Sequence, residues 1–202
     1  MKVKANPAGA RIRQRISESS GLMITWRGAA YRATTLEYPR AEEILMGQGS
    51  FLHGGRWNAI GSFRAVYGST SDVVAVAESR ATADYAGIPH PFRTPRLLVT
   101  IELDLAKVLN LSHLETLHAL ELSSDELRLE DWRKVQEHGD ESLSQAIGRA
   151  CFEEGANGLL VPSARVREGV NVVYFPENQL NKSEAKVCEA EKLDRIRHPD
   201  ER

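Results

Sequence analysis

Residues 96–105, RLLVTIELDL, have the apolar density of a strand from the middle of a sheet, and this segment does most to limit the fold. A central strand needs partners, and shorter candidates lie at 29–34 (AAYRAT), 65–69 (AVYGS), 158–162 (GLLVP) and 172–175 (VVYF). Helical patterns separate them. Ser71 or Asp72 can cap a helix by accepting from free N–H groups of its first turn, and the helix runs to about Tyr85, where Gly87 and Pro89 end it. Leu143, Ile147, Ala150 and Cys151 share one face of a second helix, which makes Cys151 a core residue rather than a reactive thiol. Between 112 and 141 the chain is polar and helix-like in short pieces. The pattern predicts an α+β domain, a sheet of short strands with helices attached.

Composition narrows the chemistry. With 202 residues, 42% hydrophobic, and a net charge of −2, the chain can bury a core and is not of disordered type. It has no run of about 18 apolar residues, so no membrane helix is expected. The opening MKVKANPAGARIRQRI lacks the apolar stretch of a secretory signal, and a cytoplasmic protein is expected. Cys151 and Cys188 make no disulfide framework, and the six histidines are scattered, so no metal centre is expected. Lys2, Lys4, Arg11, Arg13 and Arg15 all precede the first acid, Glu18; residues 1–21 read as a solvated, flexible basic arm. No aromatics interleave there to stack on bases, so direct nucleic-acid binding is not expected. Residues 182–202, dense in both signs of charge, read as an exposed helix or loose tail outside the chemistry. Neither GxGxxG nor GxxxxGK[ST] occurs, nor do HExxH or GxSxG.

Four segments place polar residues at strand ends. Tyr31 and Arg32 lie inside an apolar strand. The pair Gly54-Gly55 turns the backbone before Arg56, Trp57 and Asn58. Tyr67 sits on a strand, with Glu78 about two turns into the following helix. A strand ending at Pro162 hands over Ser163, Ala164 and Arg165. Each alone has an ordinary explanation: a snorkelling arginine, a hairpin turn, a solvated glutamate, a turn serine.

Taken in order, YRAT, GGRWN, VYGS, the glutamate eleven residues after Tyr67, VPSAR and NVVYFPE resemble the RES-domain family, named for its Arg, Glu and Ser. The similarity also takes in Asp131-Trp132 and QAIGRACFEEG, covering 26–180, and places a RES domain at 22–181. Ala59 departs from the proline that often follows GRWN. The resemblance implies an ADP-ribosyltransferase-like fold, two small antiparallel sheets with flanking helices around an NAD cleft. It implies a bacterial toxin that breaks the nicotinamide–ribose bond of NAD, with water or inorganic phosphate as acceptor, or in some relatives a protein. NAD is then substrate and no cofactor is needed. Carried over by motif, Glu78, Arg32 and Ser163 are catalytic, and Arg32, Arg56, Tyr67 and Ser163 bind NAD. The implied partner is an antitoxin with an Xre-type helix-turn-helix. A catalytically silent binding module is the other reading, and the intact Arg, Glu and Ser set argues against it.

These residue types suit the reaction. Nicotinamide leaves a pyridinium as a neutral molecule, so no general acid is required, and the transition state is oxocarbenium-like. A carboxylate, assigned to Glu78, stabilises the developing charge. Guanidinium forks, Arg32 and Arg56, match pyrophosphate oxygens in pairs. Tyr67 offers a ring face to nicotinamide or ribose, and Ser163 a hydrogen bond to a phosphate or ribose oxygen.

Overall fold

The computed structural model describes residues 3–89, 95–179, 185–193 and 195–196. Two long strands, β1 (Met23–Thr35) and β3 (Arg96–Asn110), form its spine. They pair antiparallel from Met23 opposite Leu109 to Thr35 opposite Arg96, with one irregularity between Ile24 and Trp26. The shorter strands are β2 (Val66–Ser69), β4 (Gly158–Pro162), β5 (Val170–Tyr174) and β6 (Ala185–Val187). β3 runs parallel to β4, β4 antiparallel to β5, β5 antiparallel to β2, and β2 returns to β1 through one residue pair, Tyr31 opposite Ser69. The sheet therefore closes on itself, and β6 adds to β3 at Ile101–Leu103.

The domain is α+β as expected, but the two separate sheets are not found: the described strands form one six-stranded sheet. The reason is length. β3 is 15 residues long and pairs along one side with β1, while on the other β6 and β4 follow one another at different levels. Strands that would otherwise form two sheets are thereby stitched into one.

Successive residues alternate between two cores. Leu159, Val161 and Val173 face one, with Ile147, Cys151, Phe63 and Phe175; Leu160, Val172 and Tyr174 face the other, with Ile101, Leu103 and Val187. Burial on both faces explains why GLLVP and VVYF read as continuous apolar runs. The first core is covered by α8 (Leu143–Glu153), which starts with a capping box from Ser142 to Gln145. Cys151 lies wholly inside, and burial pushes its thiol far up. The predicted helix is α4 (Asp72–Tyr85), capped by Ser71, which accepts from the Val74 N–H at 3.3 Å.

Both ends correct the expected boundaries. Residues 9–18 form α1 (Gly9–Glu18), not a solvated arm: Ile12 and Ile16, one turn apart, are buried against α8. Two of its arginines pair within the chain, Arg13 with Glu153 (2.9 Å) and Glu154 (2.7 Å), and Arg15 with Glu121 (2.5 Å). Within the span 182–202, the described residues 185–193 are no detached tail either, since β6 belongs to the sheet and Leu193 of α9 (Ala190–Leu193) is buried. Much of the expected tail, 182–184, 194 and 197–202, lies outside the described residues. The remaining helices are short: α2 (Ala41–Met46), α3 (Gln48–His53), α5 (Leu114–Ala119), α6 (Ser124–Leu129) and α7 (Trp132–Glu137). Among the described residues no helix is long and apolar enough to cross a membrane.

Candidate active site

A cavity of about 600 Å³ opens where β1, β2, α4, α7, the GGRWN loop and the β4–β5 connection meet. Its size suits a small-molecule ligand. Arg32, Arg56, Tyr67 and Glu78 all line it, and Ser163 lies directly behind Glu78.

Glu78 is held by one oxygen. Its Oε1 accepts from Ser163 Oγ at 2.6 Å and from Asn171 Nδ2 at 2.9 Å. Asn171 is oriented in turn by Ser69, whose hydroxyl donates to Asn171 Oδ1 at 2.7 Å. Among the described residues no hydrogen bond reaches Oε2, which stays available on the cavity side. The expectation that Ser163 donates to the ligand meets a limit here. Its single proton goes to Glu78, and its oxygen accepts from the Arg165 and Val166 N–H groups at 3.0 and 3.1 Å. A serine hydroxyl has no further donor. Ser163 is thus placed to orient the carboxylate.

Tyr67 pins the glycine loop. Its hydroxyl donates to Asn58 Oδ1 at 2.7 Å and accepts from the Trp57 N–H at 3.0 Å. Burial pushes this phenol up, with the Trp57 and Asn58 hydrogen bonds opposing. The loop reaches that position because Gly54 adopts φ 73° and Gly55 lies under the phenol, where an added Cβ would sit 2.3 Å from the hydroxyl.

The two predicted arginines differ. Arg32 donates from Nη1 to the Tyr67 carbonyl at 2.8 Å, while its buried Nε has no partner. Burial lowers this guanidinium to about 10, against a counter-pull from Tyr67, so it stays charged at neutral pH. Arg56 is more committed than a pyrophosphate fork requires. Nη1 donates to the Leu127 carbonyl and Nη2 to the Glu130 carbonyl at 3.3 Å, tying the loop to the end of α6. Burial lowers Arg56 as well, with Glu130 and Glu78 raising it and Arg133 and Arg165 lowering it.

Three contributors were not foreseen as site residues: Asn171, Arg133 and Arg165. Asn171 opens the NVVYFPE motif but is an ordinary strand residue until β5 brings it beside Glu78. Arg133 follows Trp132, and its guanidinium lies 4.5 Å from the ring centres of both Trp132 and Tyr85. An arginine beside a tryptophan, as in Arg56-Trp57, was the available signal. Arg165 closes VPSAR and is exposed at the cavity wall.

A family model, the RES domain, matches residues 29–195, a span that contains every site residue named above. The chain belongs to the RES-domain family. This RES domain is similar to the NAD(+) phosphorylase MbcT of Mycobacterium bovis, with 30% identity over 147 residues, 70% of each protein. MbcT of Mycobacterium tuberculosis matches to the same extent. The crystal structure of the M. tuberculosis MbcT–MbcA toxin–antitoxin complex superposes with a TM-score of 0.71 at 25% identity, over 92% of this chain and 96% of the other.

Proposed function

We propose that this RES domain is the toxin of a toxin–antitoxin pair and degrades NAD by cleaving the bond between nicotinamide and ribose. The observation that carries the reading is the state of Glu78: a carboxylate anchored on one oxygen, open on the other, in a cavity shared with arginines. Such a group stabilises positive charge as it develops on the ribose, because it needs no reorganisation when the bond breaks. Oε2 accepts from a ribose hydroxyl while nicotinamide departs neutral.

The other residues divide the work of binding. Arg32, charged, desolvated and with an unpartnered Nε, receives the pyrophosphate. Arg56 keeps part of its donor set for the same anion while its Nη groups hold α6. Tyr67 presents its ring, since its hydroxyl is occupied. Ser163 and Asn171 set the carboxylate. On this reading the cleft is ADP-ribosyltransferase-like and sits in the cytoplasm, where NAD is found. The partner on this reading is an antitoxin carrying an Xre-type helix-turn-helix; the likeness to a toxin–antitoxin complex supports an antitoxin, and the helix-turn-helix rests on the family resemblance.

The test is incubation of purified protein with NAD, following free nicotinamide and weighing the products with and without inorganic phosphate. Nicotinamide release supports the reading, and intact NAD after prolonged incubation overturns it. The second product's mass names the acceptor.

A further inference from the structure

A recess of about 200 Å³ adjoins the main cavity and shares Arg56, Trp132, Arg133, Ala164 and Arg165 with its wall. It reaches neither Arg32 nor Glu78. Several waters' worth of space fits a small anion and its hydration, and does not fit a dinucleotide. Its charge is unbalanced. Arg56, Arg128, Arg133 and Arg165 line it, and Arg133 and Arg165 each disfavour charge on Arg56. Burial and, less strongly, the Arg165 charge lower Arg133, against Tyr85, Asp131 and Glu78, which raise it.

The acids of the recess, Glu130 and Asp131, act on the cluster from a distance, but their carboxylates are engaged elsewhere. Glu130 spends its carboxylate on the Ser144 N–H (3.0 Å), the Ser144 hydroxyl (2.6 Å) and the Leu143 N–H (2.5 Å). Asp131 binds Lys134 at its N–H (3.3 Å) and Nζ (3.7 Å), and lies 3.5 Å from the Tyr85 hydroxyl. Among the described residues neither Arg133 nor Arg165 forms an ion pair with a carboxylate. Arg133 is nonetheless fixed, lying over two aromatic rings that leave the edges of its guanidinium free for oxygen acceptors. Glu78 acts electrostatically on both Arg133 and Arg56, which sets the recess beside the reacting centre.

We propose that Arg133 and Arg165 form an acceptor subsite for inorganic phosphate beside the NAD pyrophosphate site, the two meeting at Arg56; this rests on the NAD-cleaving reading above. A phosphate dianion held there attacks through a deprotonated oxygen. The new bond joins that oxygen to the ribose carbon, the carbon–nitrogen bond breaks, and its electron pair goes to the pyridinium nitrogen, which leaves neutral. No proton has to move in the step. Water has no charge for the arginines to hold, so the subsite selects phosphorolysis over hydrolysis.

The test is steady-state kinetics with NAD and inorganic phosphate varied independently, for the unaltered protein, Arg133→Gln and Arg165→Gln. Losing a charged hydrogen-bond partner should raise the KM for phosphate by about tenfold or more. The KM for NAD should move less than about twofold, and the product ratio should shift from ADP-ribose phosphate towards ADP-ribose. Arg165 is exposed, so its variant keeps the test valid if Arg133→Gln disturbs the aromatic pair. A raised KM for NAD with an unchanged KM for phosphate would assign the arginines to the pyrophosphate and overturn the subsite. NAD cleavage by the unaltered protein that ignores phosphate overturns the subsite alone. No cleavage at all removes the functional reading and the subsite with it.

Discussion

Glu78→Gln isolates charge from shape. The amide oxygen of glutamine can take the place of Oε1 and still accept from Ser163 and Asn171. Its NH₂ then occupies the position of Oε2, so the cavity keeps its outline. What disappears is one negative charge facing the ribose. A full unit charge about 4 Å away is worth ~4 kcal/mol at an effective dielectric of about 20. An oxocarbenium-like transition state carries most of a charge, so the barrier should rise by ~3 kcal/mol, or on the order of a hundredfold in turnover. Single-turnover nicotinamide release measures the chemical step, and calorimetric titration of NAD measures binding separately. Turnover within about threefold of the unaltered protein refutes the electrostatic role. So does a loss that lies wholly in NAD affinity.

Arg32→Lys keeps the charge but loses the planar fork and the hydrogen bond to the Tyr67 carbonyl; titrated on the Glu78→Gln background, NAD should bind about tenfold or more weakly. Ile12→Ala should cost ~2–4 kcal/mol by opening a cavity between α1 and α8, seen as a melting temperature lowered by several degrees; a solvated arm would show no change. If the antitoxin covers the cleft with an acidic group on Arg32, NAD and antitoxin should compete in a binding assay, and Arg32→Ala should weaken both; inhibition without competition would place the partner elsewhere.

Local signals made much of the site readable. The Ser71 cap and the four-residue rhythm of α8 are written within a few residues, and α4 and α8 lie where those signals put them. Glu78 and Ser163 were paired only through the family resemblance, and their contact at 2.6 Å is a tertiary fact. α1 was hidden because Ile12 and Ile16 stand among arginines and a glutamine, so its narrow apolar stripe was masked by charge. Closure of the sheet was not legible at all, since strand pairing over a separation of dozens of residues leaves no local periodicity. Arg56 illustrates the same limit: its carbonyl partners on Leu127 and Glu130 lie far along the chain, and nothing around GGRWN announces them.

The ring of strands is unevenly fastened. β1 and β3 are joined along nearly their whole length, β4 and β5 through five pairs, β2 and β5 through four, but among the described residues β2 has only one ladder pair with β1, Tyr31 and Ser69, to which Arg32 adds its bond to the Tyr67 carbonyl. That thin join is flanked by Arg32 on one side and by the Ser69–Asn171–Glu78 relay on the other. Glu78 is therefore anchored on the β4–β5 side of the ring's weakest seam, while Arg32 springs from β1 and reaches across it to β2. Parting these two strands would break fewer ladder pairs than opening the ring anywhere else, and it would also break the Arg32–Tyr67 bond and uncover Ala30 and Val66. On the proposed reading, a dinucleotide held between Arg32 and Glu78 would add a tie across this seam, so binding it should tighten the ring where its strands are least joined.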